Sequence, residues 1–317
     1  MKPARLASLG LAGLLALGCV SQPPAPRTPL VPIRVAGARW IELSPVVVAA
    51  NSFYPQQLTV PAGGVVSITA GSADLATNAE TQLLRESVAN PDLRIIMTVA
   101  ESFYRLVGRR SAGISKLADL KGKRVAVPRM TSAQYYLVAM LRSAGLKEED
   151  VTLVNLPQGT KMSDALLHGD VDVIATFEPE PGIAMQKLGK DAIQLQDRKV
   201  YREAFNLHAR ATDLADPQKR RAIVAFVRAA ADATQALKKN PQAYWPYISS
   251  VIGFAPEEIA LGWPETRFPV RIIPDMLDVL DTEELWVAKA SNRAPRGRAE
   301  LAKFIDRSVV DEALALR

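Results

Sequence analysis

Between residues 124 and 175, short apolar runs alternate with longer amphipathic stretches. No other feature narrows the possible architectures as much. Residues 124–127 read as a strand and 132–144 as a helix closed by Gly145 just past its end; 151–155 read as a strand, 163–167 as a helix before Gly169, and 171–175 as a strand. A helix between two such strands carries the chain back to the end of the sheet it started from, so the strands lie parallel. The class is α/β.

Upstream, 33–36 is a strand candidate followed by the turn-like Gly37-Ala38-Arg39-Trp40, and 44–53 suits a helix with Pro45 in its first turn. Residues 58–60 and 65–69 read as strands around the turn Pro61-Ala62-Gly63-Gly64. Residues 79–89 are helical, 93–100 form a buried strand run, and 107–109 continue extended. After about residue 215 one helix follows another. Asp216-Pro217 is a cap with proline at the first helical position, Ile223, Phe226, Val227, Ala230, Thr234 and Leu237 form an apolar stripe at helical spacing, and Asn240-Pro241 ends it.

One segment echoes another. Gly71-Ser72-Ala73-Asp74 leads to Glu80, as Gly169-Asp170-Val171-Asp172 leads to Glu178, with Gly three residues before an Asp and Glu six beyond it. Either the chain is built of two similar halves or two βα units are alike by chance.

Lys2 and Arg5 precede thirteen uncharged residues, 6–18, too few to span a bilayer but suited to a secretory signal. Ala16-Leu17-Gly18-Cys19 resembles the bacterial lipobox, which implies cleavage before Cys19 and its lipidation; the alternative is a plain signal peptide with Cys19 as a bystander. Five prolines (Pro23, Pro24, Pro26, Pro29 and Pro32) within residues 20–32 make an extended tether. The layout expected is a signal at 1–18, a tether at 19–31, and an exported, membrane-anchored chain. Loss of 1–18 removes two of the 39 basic residues and no acid, so the net charge is 37 − 33 = +4. That is enough to gather small anions and too little for a nucleic-acid binder.

One cysteine excludes a disulfide framework and any multi-cysteine metal site, two histidines argue against a histidine-built centre, and neither metal nor cofactor is expected. Gly122-Lys123 lacks the first Gly and the Ser/Thr of a phosphate loop, and no HExxH, GxSxG, CxxC or dinucleotide fingerprint occurs. His168 reads as a helix end and His208 as part of a strand. No nucleophile–base pair points to an enzyme.

Residues 114–128, ISKLADLKGKRVAVP, resemble the I-x-x-L-x-D-L-x-G-K-x-V-x-V-P stretch of ABC-transporter solute-binding proteins, in the branch that binds alkanesulfonates, taurine, nitrate or thiamine-pyrimidine precursors. Residues 129–137 are similar to that branch's polar loop opening a helix, and 169–179 to its G-D-V-D-A…W-[D/E]-P run, with Phe177 where Trp is frequent and Arg129-Met130 in place of a Lys/Gly-rich lead-in. The cysteine-rich motif of the related yeast-type enzymes is missing. The resemblance implies the two-lobed periplasmic-binding-protein fold: two mixed, mostly parallel sheets flanked by helices, two crossovers and a helical C-terminal tail. It divides the chain into one lobe of 32–103 plus 205–317 and a second of 104–204. It also implies a monomer that hands a small solute to an ABC permease and its ATPase; a sensor domain for a signalling partner is the alternative, and an exported enzyme a third.

In such a fold the ligand sits beyond the carboxyl ends of strands. The candidates there are Trp40 and Glu42; Asn78 and Glu80; Arg129, Thr131, Ser132 and Gln134; and Thr176, Phe177 and Glu178. The 129–132 loop offers backbone N–H groups at a helix start, and Arg129 a forked contact, to a sulfonate, nitrate or carboxylate; alternatively Thr131 or Ser132 merely caps the helix. Trp40 either stacks on a flat ligand or covers the lobe edge. Glu178 either accepts from an amine or makes a salt bridge within its lobe. Trp263, Trp286 and the corner Tyr244-Trp245-Pro246-Tyr247 read as packing. Three glutamates tilt the solute toward one with an amine or ring N–H beside its anion, taurine-like or pyrimidine-like.

Overall fold

The computed structural model describes residues 29–156 and 161–315. The expected signal peptide, Cys19 and most of the tether lie outside the described residues. The tether's end rests on the first lobe, where the Pro29 carbonyl accepts from Arg221 and that of Leu30 from Gln56.

The chain begins with β1 (Val35–Gly37), α1 (Ser44–Val48) continuing as a wider turn to Phe53, α2 (Val65–Thr69), β2 (Leu75–Ala79), α3 (Glu80–Glu86) and β3 (Leu93–Ser102). Residues 103–105 carry it into a second sheet through β4 (Leu106–Arg109), β5 (Arg124–Ala126), α4 (Ser132–Ser143), β6 (Thr152–Val154), α5 (Met162–His168), β7 (Val173–Ala175), α6 (Glu180–Leu188) and β8 (Ala192–Leu195). Residues 196–202 bring it back to β9 (Glu203–Arg210). Then follow α7 (Ala211–Ala215), α8 (Pro217–Lys239), α9 (Trp245–Ile252), α10 (Pro256–Gly262), β10 (Thr266–Arg267), α11 (Met276–Ala290), α12 (Arg298–Leu301) and α13 (Ser308–Ala315).

The sheets are ordered β1-β2-β9-β3-β10 and β6-β5-β7-β4-β8. In each, the strand that arrives from the other sheet is inserted against the grain: β9 is antiparallel to β2 and β3, and β4 to β7 and β8. β1, β2 and β3 share one direction in the first sheet, and β5 to β8 do so in the second. Alternation along the second sheet splits its core. Leu106, Val125 and Val173 face one apolar cluster, while Val107, Ala126 and Ile174 face another.

The echo between the halves is structural. Asp74, just before β2, accepts from the Arg34 backbone N at 2.7 Å and from its guanidinium at 3.2 Å. Asp172, just before β7, accepts from the Arg124 backbone N at 2.9 Å and from its guanidinium at 2.8 Å. Each Asp thus locks the start of its strand to the parallel neighbour.

Two strand expectations fail. Residues 65–69 form α2, and 58–60 belong to no strand. The β-branched run Val65-Val66-Ser67-Ile68-Thr69 argued for a strand, but that preference is weak and yields when burying Val65 and Ile68 against the core favours a helical turn. The long tail helix behaves as its sequence indicates. Asp216 accepts from the N–H groups of Gln218 and Lys219, and the whole predicted stripe of α8 is buried. The tail also reaches the second lobe, with the Leu261 carbonyl accepting from Arg105 and the Trp286 ring 5.6 Å from that of Tyr135 on α4. Trp263 packs on Trp245 and Phe268.

Candidate functional site

A cleft of about 300 Å³ opens where the C-terminal ends of β1 and β2 meet the loops after β5 and β7. From the first lobe it is lined by Trp40, Glu42, Asn78, Gln82, Arg85, Glu203 and Phe205, among others, and from the second by Thr131, Ser132 and Phe177. Six of the eleven sequence candidates are therefore brought together: Trp40, Glu42, Asn78, Thr131, Ser132 and Phe177.

The aromatic side of the cleft bridges the lobes. The Trp40 ring lies 4.9 Å from Phe177, which is 5.5 Å edge-on from Tyr104. Neither Thr131 nor Ser132 caps α4 with its side chain. The Thr131 hydroxyl donates to the Pro128 carbonyl at 2.7 Å, and that of Ser132 lies 3.1 Å from Tyr104 Oη and 3.3 Å from Glu203 Oε1. The Gln134 and Tyr135 N–H groups close on the Thr131 carbonyl, which leaves those of Ser132 and Ala133 without a partner inside the helix.

Glu42 is 1% exposed. Its Oε1 accepts from Ser102 Oγ at 2.6 Å, while its Oε2 has no partner. Burial pushes its carboxyl up to about 7, with the Ser102 hydroxyl pulling the other way and the neighbouring Glu178 adding to the rise. Ser102 is paired across the sheet with Glu203, whose Oε2 is likewise buried without a partner. Burial and the nearby Glu42 and Glu80 raise Glu203 well above the ordinary carboxylate range. The cleft floor therefore holds two acids that cannot both ionise at low cost.

Five candidates do not line the cleft. Arg129 is exposed on the loop. Its neighbour Met130 takes that loop's key position instead, with φ 58°, a conformation glycine would favour. The Met130 N–H donates to Gln134 Oε1 at 2.6 Å, which occupies Gln134 locally, and its carbonyl accepts from Gln82 and Arg85 of the other lobe, both at 3.0 Å. Thr176 is buried and does not reach the cleft wall. Glu80 and Glu178 fasten the two crossovers. Glu80 accepts from Tyr201 Oη at 2.6 Å and from the Ala204 N–H at 2.9 Å, while Glu178 pairs with Arg105 at 2.6 Å. Of the two roles open to Glu178, the structure shows the salt bridge, with its partner in a crossover.

Sequence reasoning missed Gln82, Arg85, Glu203 and Phe205. Gln82 and Arg85 are three apart on the helix that follows Asn78, and Glu203 and Phe205 alternate on the strand after the second crossover. Both spacings were readable. What they faced was not, because the partner surface lies more than a hundred residues away for β9.

Residues 57–244, more than half of the chain, match the family described as NMT1/THI5 like. The chain belongs to that family. Over 228 residues it is 28% identical to a protein of Haemophilus influenzae named for thiamine biosynthesis, covering 66% of this chain and 67% of that one. Over 135 residues it is 32% identical to the taurine-binding periplasmic protein of Escherichia coli, covering 41% of this chain and 40% of that one. The alkanesulfonate-binding protein SsuA from Xanthomonas axonopodis pv. citri, solved bound to MOPS, matches with a TM-score of 0.66 at 17% identity, over 87% of this chain and 98% of that one. A desulfurization enzyme, DSZB, shares the fold with a TM-score of 0.63 at 16% identity, over 90% of this chain and 99% of that one. The family member described here has the periplasmic-binding-protein fold, as its two sheets joined by two crossovers require.

Proposed function

We propose that this protein is an exported solute-binding component that captures a small zwitterionic or amine-bearing solute in the interlobe cleft and passes it to an ABC import permease. Cys19 is its lipid anchor and residues 19–31 the tether. The observation that carries the solute class is the pairing on the cleft wall of unlike groups. Glu42 and Glu203 each keep a carboxyl oxygen without a partner, while Arg85, Asn78 and the start of α4 supply donors. An acid pair suits an ammonium or ring N–H, and the donors suit a sulfonate or carboxylate. Trp40, Phe177 and Phe205 add apolar walls for the body of the solute. Relatives named for taurine binding and thiamine biosynthesis agree with such a solute, and the family's binding members favour a receptor over an enzyme.

The test is a thermal-unfolding scan of the mature chain with taurine, alkyl and aryl sulfonates, nitrate and aminopyrimidines. A solute at 100 times its Kd adds about 2.7 kcal/mol. The expected result is a shift of about 4–5 °C for an amine-bearing compound, lost in Trp40→Ala. A shift given equally by ethanesulfonate and taurine would overturn the amine assignment.

A further inference from the structure

The acids at the cleft floor are the near end of a row. Glu42 and Glu203 line the cleft; Glu80 is buried behind Glu203; Glu283 on α11 meets Glu80 side chain to side chain. All four are at most 2% exposed, and Glu42, Glu203 and Glu283 each have an oxygen with no partner. Glu283 also lines a separate hollow of about 480 Å³, beside Tyr135 and Tyr201, so the row's far end reaches a second surface. Among the described residues no cation compensates the row: Arg85, which lines the same cleft, donates to Gln82 and the Met130 carbonyl. Arg105 is committed to Glu178, Gln194 and the Leu261 carbonyl, and Arg202 to Glu101 and Asp275. Among the described residues no three His, Cys, Asp or Glu side chains converge as a metal site requires.

Four carboxyl groups buried side by side without a cation or metal must keep protons, because unpaired charge in such a place costs several kcal/mol per group. A protonated acid pair does not attract an ammonium group as a carboxylate does. The solute's own cation is the missing counter-charge.

Resting on the amine reading above, we propose that solute capture is proton-coupled: an ammonium or cationic N–H group docking between Glu42 and Glu203 replaces one proton of the row, which leaves to solvent. The protein side goes from a carboxylic acid to a carboxylate, the solute keeps its charge, and the released proton balances the exchange. The groups facing the pair come from every packed element: Glu178 after β7, Ser102 on β3, Tyr104 in the first crossover, Ser132 on α4, Tyr201 in the second crossover, and Glu80 and Glu283 beyond. The three acids among these raise the cost of ionisation, while the hydroxyls of Ser102, Ser132 and Tyr104 stabilise the carboxylate once it forms. Burial places Glu42 near neutrality and the others above the ordinary carboxylate range. The exchange is therefore required at and below neutral pH.

The experiment is isothermal titration of the mature chain with taurine in phosphate, cacodylate and Bis-Tris at fixed pH, none of them a sulfonate, because the dependence of the measured heat on buffer ionisation counts the protons released. About one proton per taurine is expected at pH 6, with Kd tightening about tenfold per pH unit as pH rises toward 7. Glu42→Gln and Glu203→Gln should lower the count and flatten the pH profile. Ser102→Ala, which leaves both acids in place, should move the profile to higher pH by removing the hydrogen bond that favours ionised Glu42. Taurine binding with no proton released, or a profile unmoved in all three variants, overturns the proposal while the receptor reading stands. Ethanesulfonate bound as tightly as taurine removes the amine reading itself, and the proposal with it.

Discussion

Changing Arg105 to Met tests the buried ion pair at the first crossover most directly. Arg105 and Glu178 are 8% and 1% exposed, and their Nε–Oε1 distance is 2.6 Å. The guanidinium also donates to Gln194 Oε1 at 3.1 Å and to the Leu261 carbonyl at 3.3 Å, so it ties the first crossover to β8 and to the end of α10. Without it, Glu178 keeps only the Gly182 N–H at 3.2 Å. Gly262 packs so closely that a Cβ there would lie 2.7 Å from Glu178 Cβ, so the glutamate cannot swing towards α10. Removing one partner of such a pair costs about 3–5 kcal/mol, mostly the penalty of a stranded charge. With about 280 folded residues at roughly 2.1 cal/mol/K each, the unfolding entropy is about 0.6 kcal/mol/K, so Tm falls by about 5–8 °C. Arg105→Met/Glu178→Leu removes both charges and should recover most of the loss. The readout is thermal unfolding by circular dichroism for the wild type, both single variants and the double. A single-variant cost below about 1 kcal/mol, or strictly additive losses, would refute the reasoning.

His208 lies in β9, fully buried, with Nδ1 3.3 Å from the Ala76 carbonyl and Nε2 without a partner. Burial lowers it to about 4 against the hydrogen bond to Ala76, so the folded chain binds fewer protons than the unfolded one below pH 6.5. Stability attributable to this group is full above pH 6.5 and falls as pH drops toward 4, by about 3 kcal/mol in all. His208→Leu should flatten that stretch of the pH–stability curve, and an unchanged slope in urea titrations across pH 4–7 would count against it. Asp172→Ala and Asp74→Ala remove the same tie from the two lobes, so urea melts should show similar losses of about 1–3 kcal/mol each; a loss in only one lobe would break the equivalence of the halves.

Much of this was legible in the chain. Strand and helix alternation over 124–175 required a parallel α/β unit, because its short apolar runs and amphipathic stretches carry their own periods. The caps at Asp216-Pro217 and Gly145 are local chemistry, readable three or four residues at a time. The repeated Asp was visible as spacing, and the structure adds its meaning: each Asp holds an arginine at the start of the neighbouring strand. Trp40, Glu42, Asn78, Thr131, Ser132 and Phe177 reached the cleft because strand ends in such sheets converge, which follows from topology alone.

Tertiary structure decided the rest. Residues 65–69 became helical because packing outweighs a β-branched preference. Arg129 stayed outside because the loop's turn falls on Met130, whose carbonyl is gripped by Gln82 and Arg85 from the other lobe. Glu80 and Glu178 hold the crossovers rather than the cleft, and Glu203 and Phe205 hold the cleft floor. Local sequence tells which residues form a strand and which face they share. Whether a buried glutamate meets an arginine, a tyrosine or another glutamate depends on segments that only the closed fold brings within 3 Å, and in this protein that choice separates the crossovers from the cleft floor.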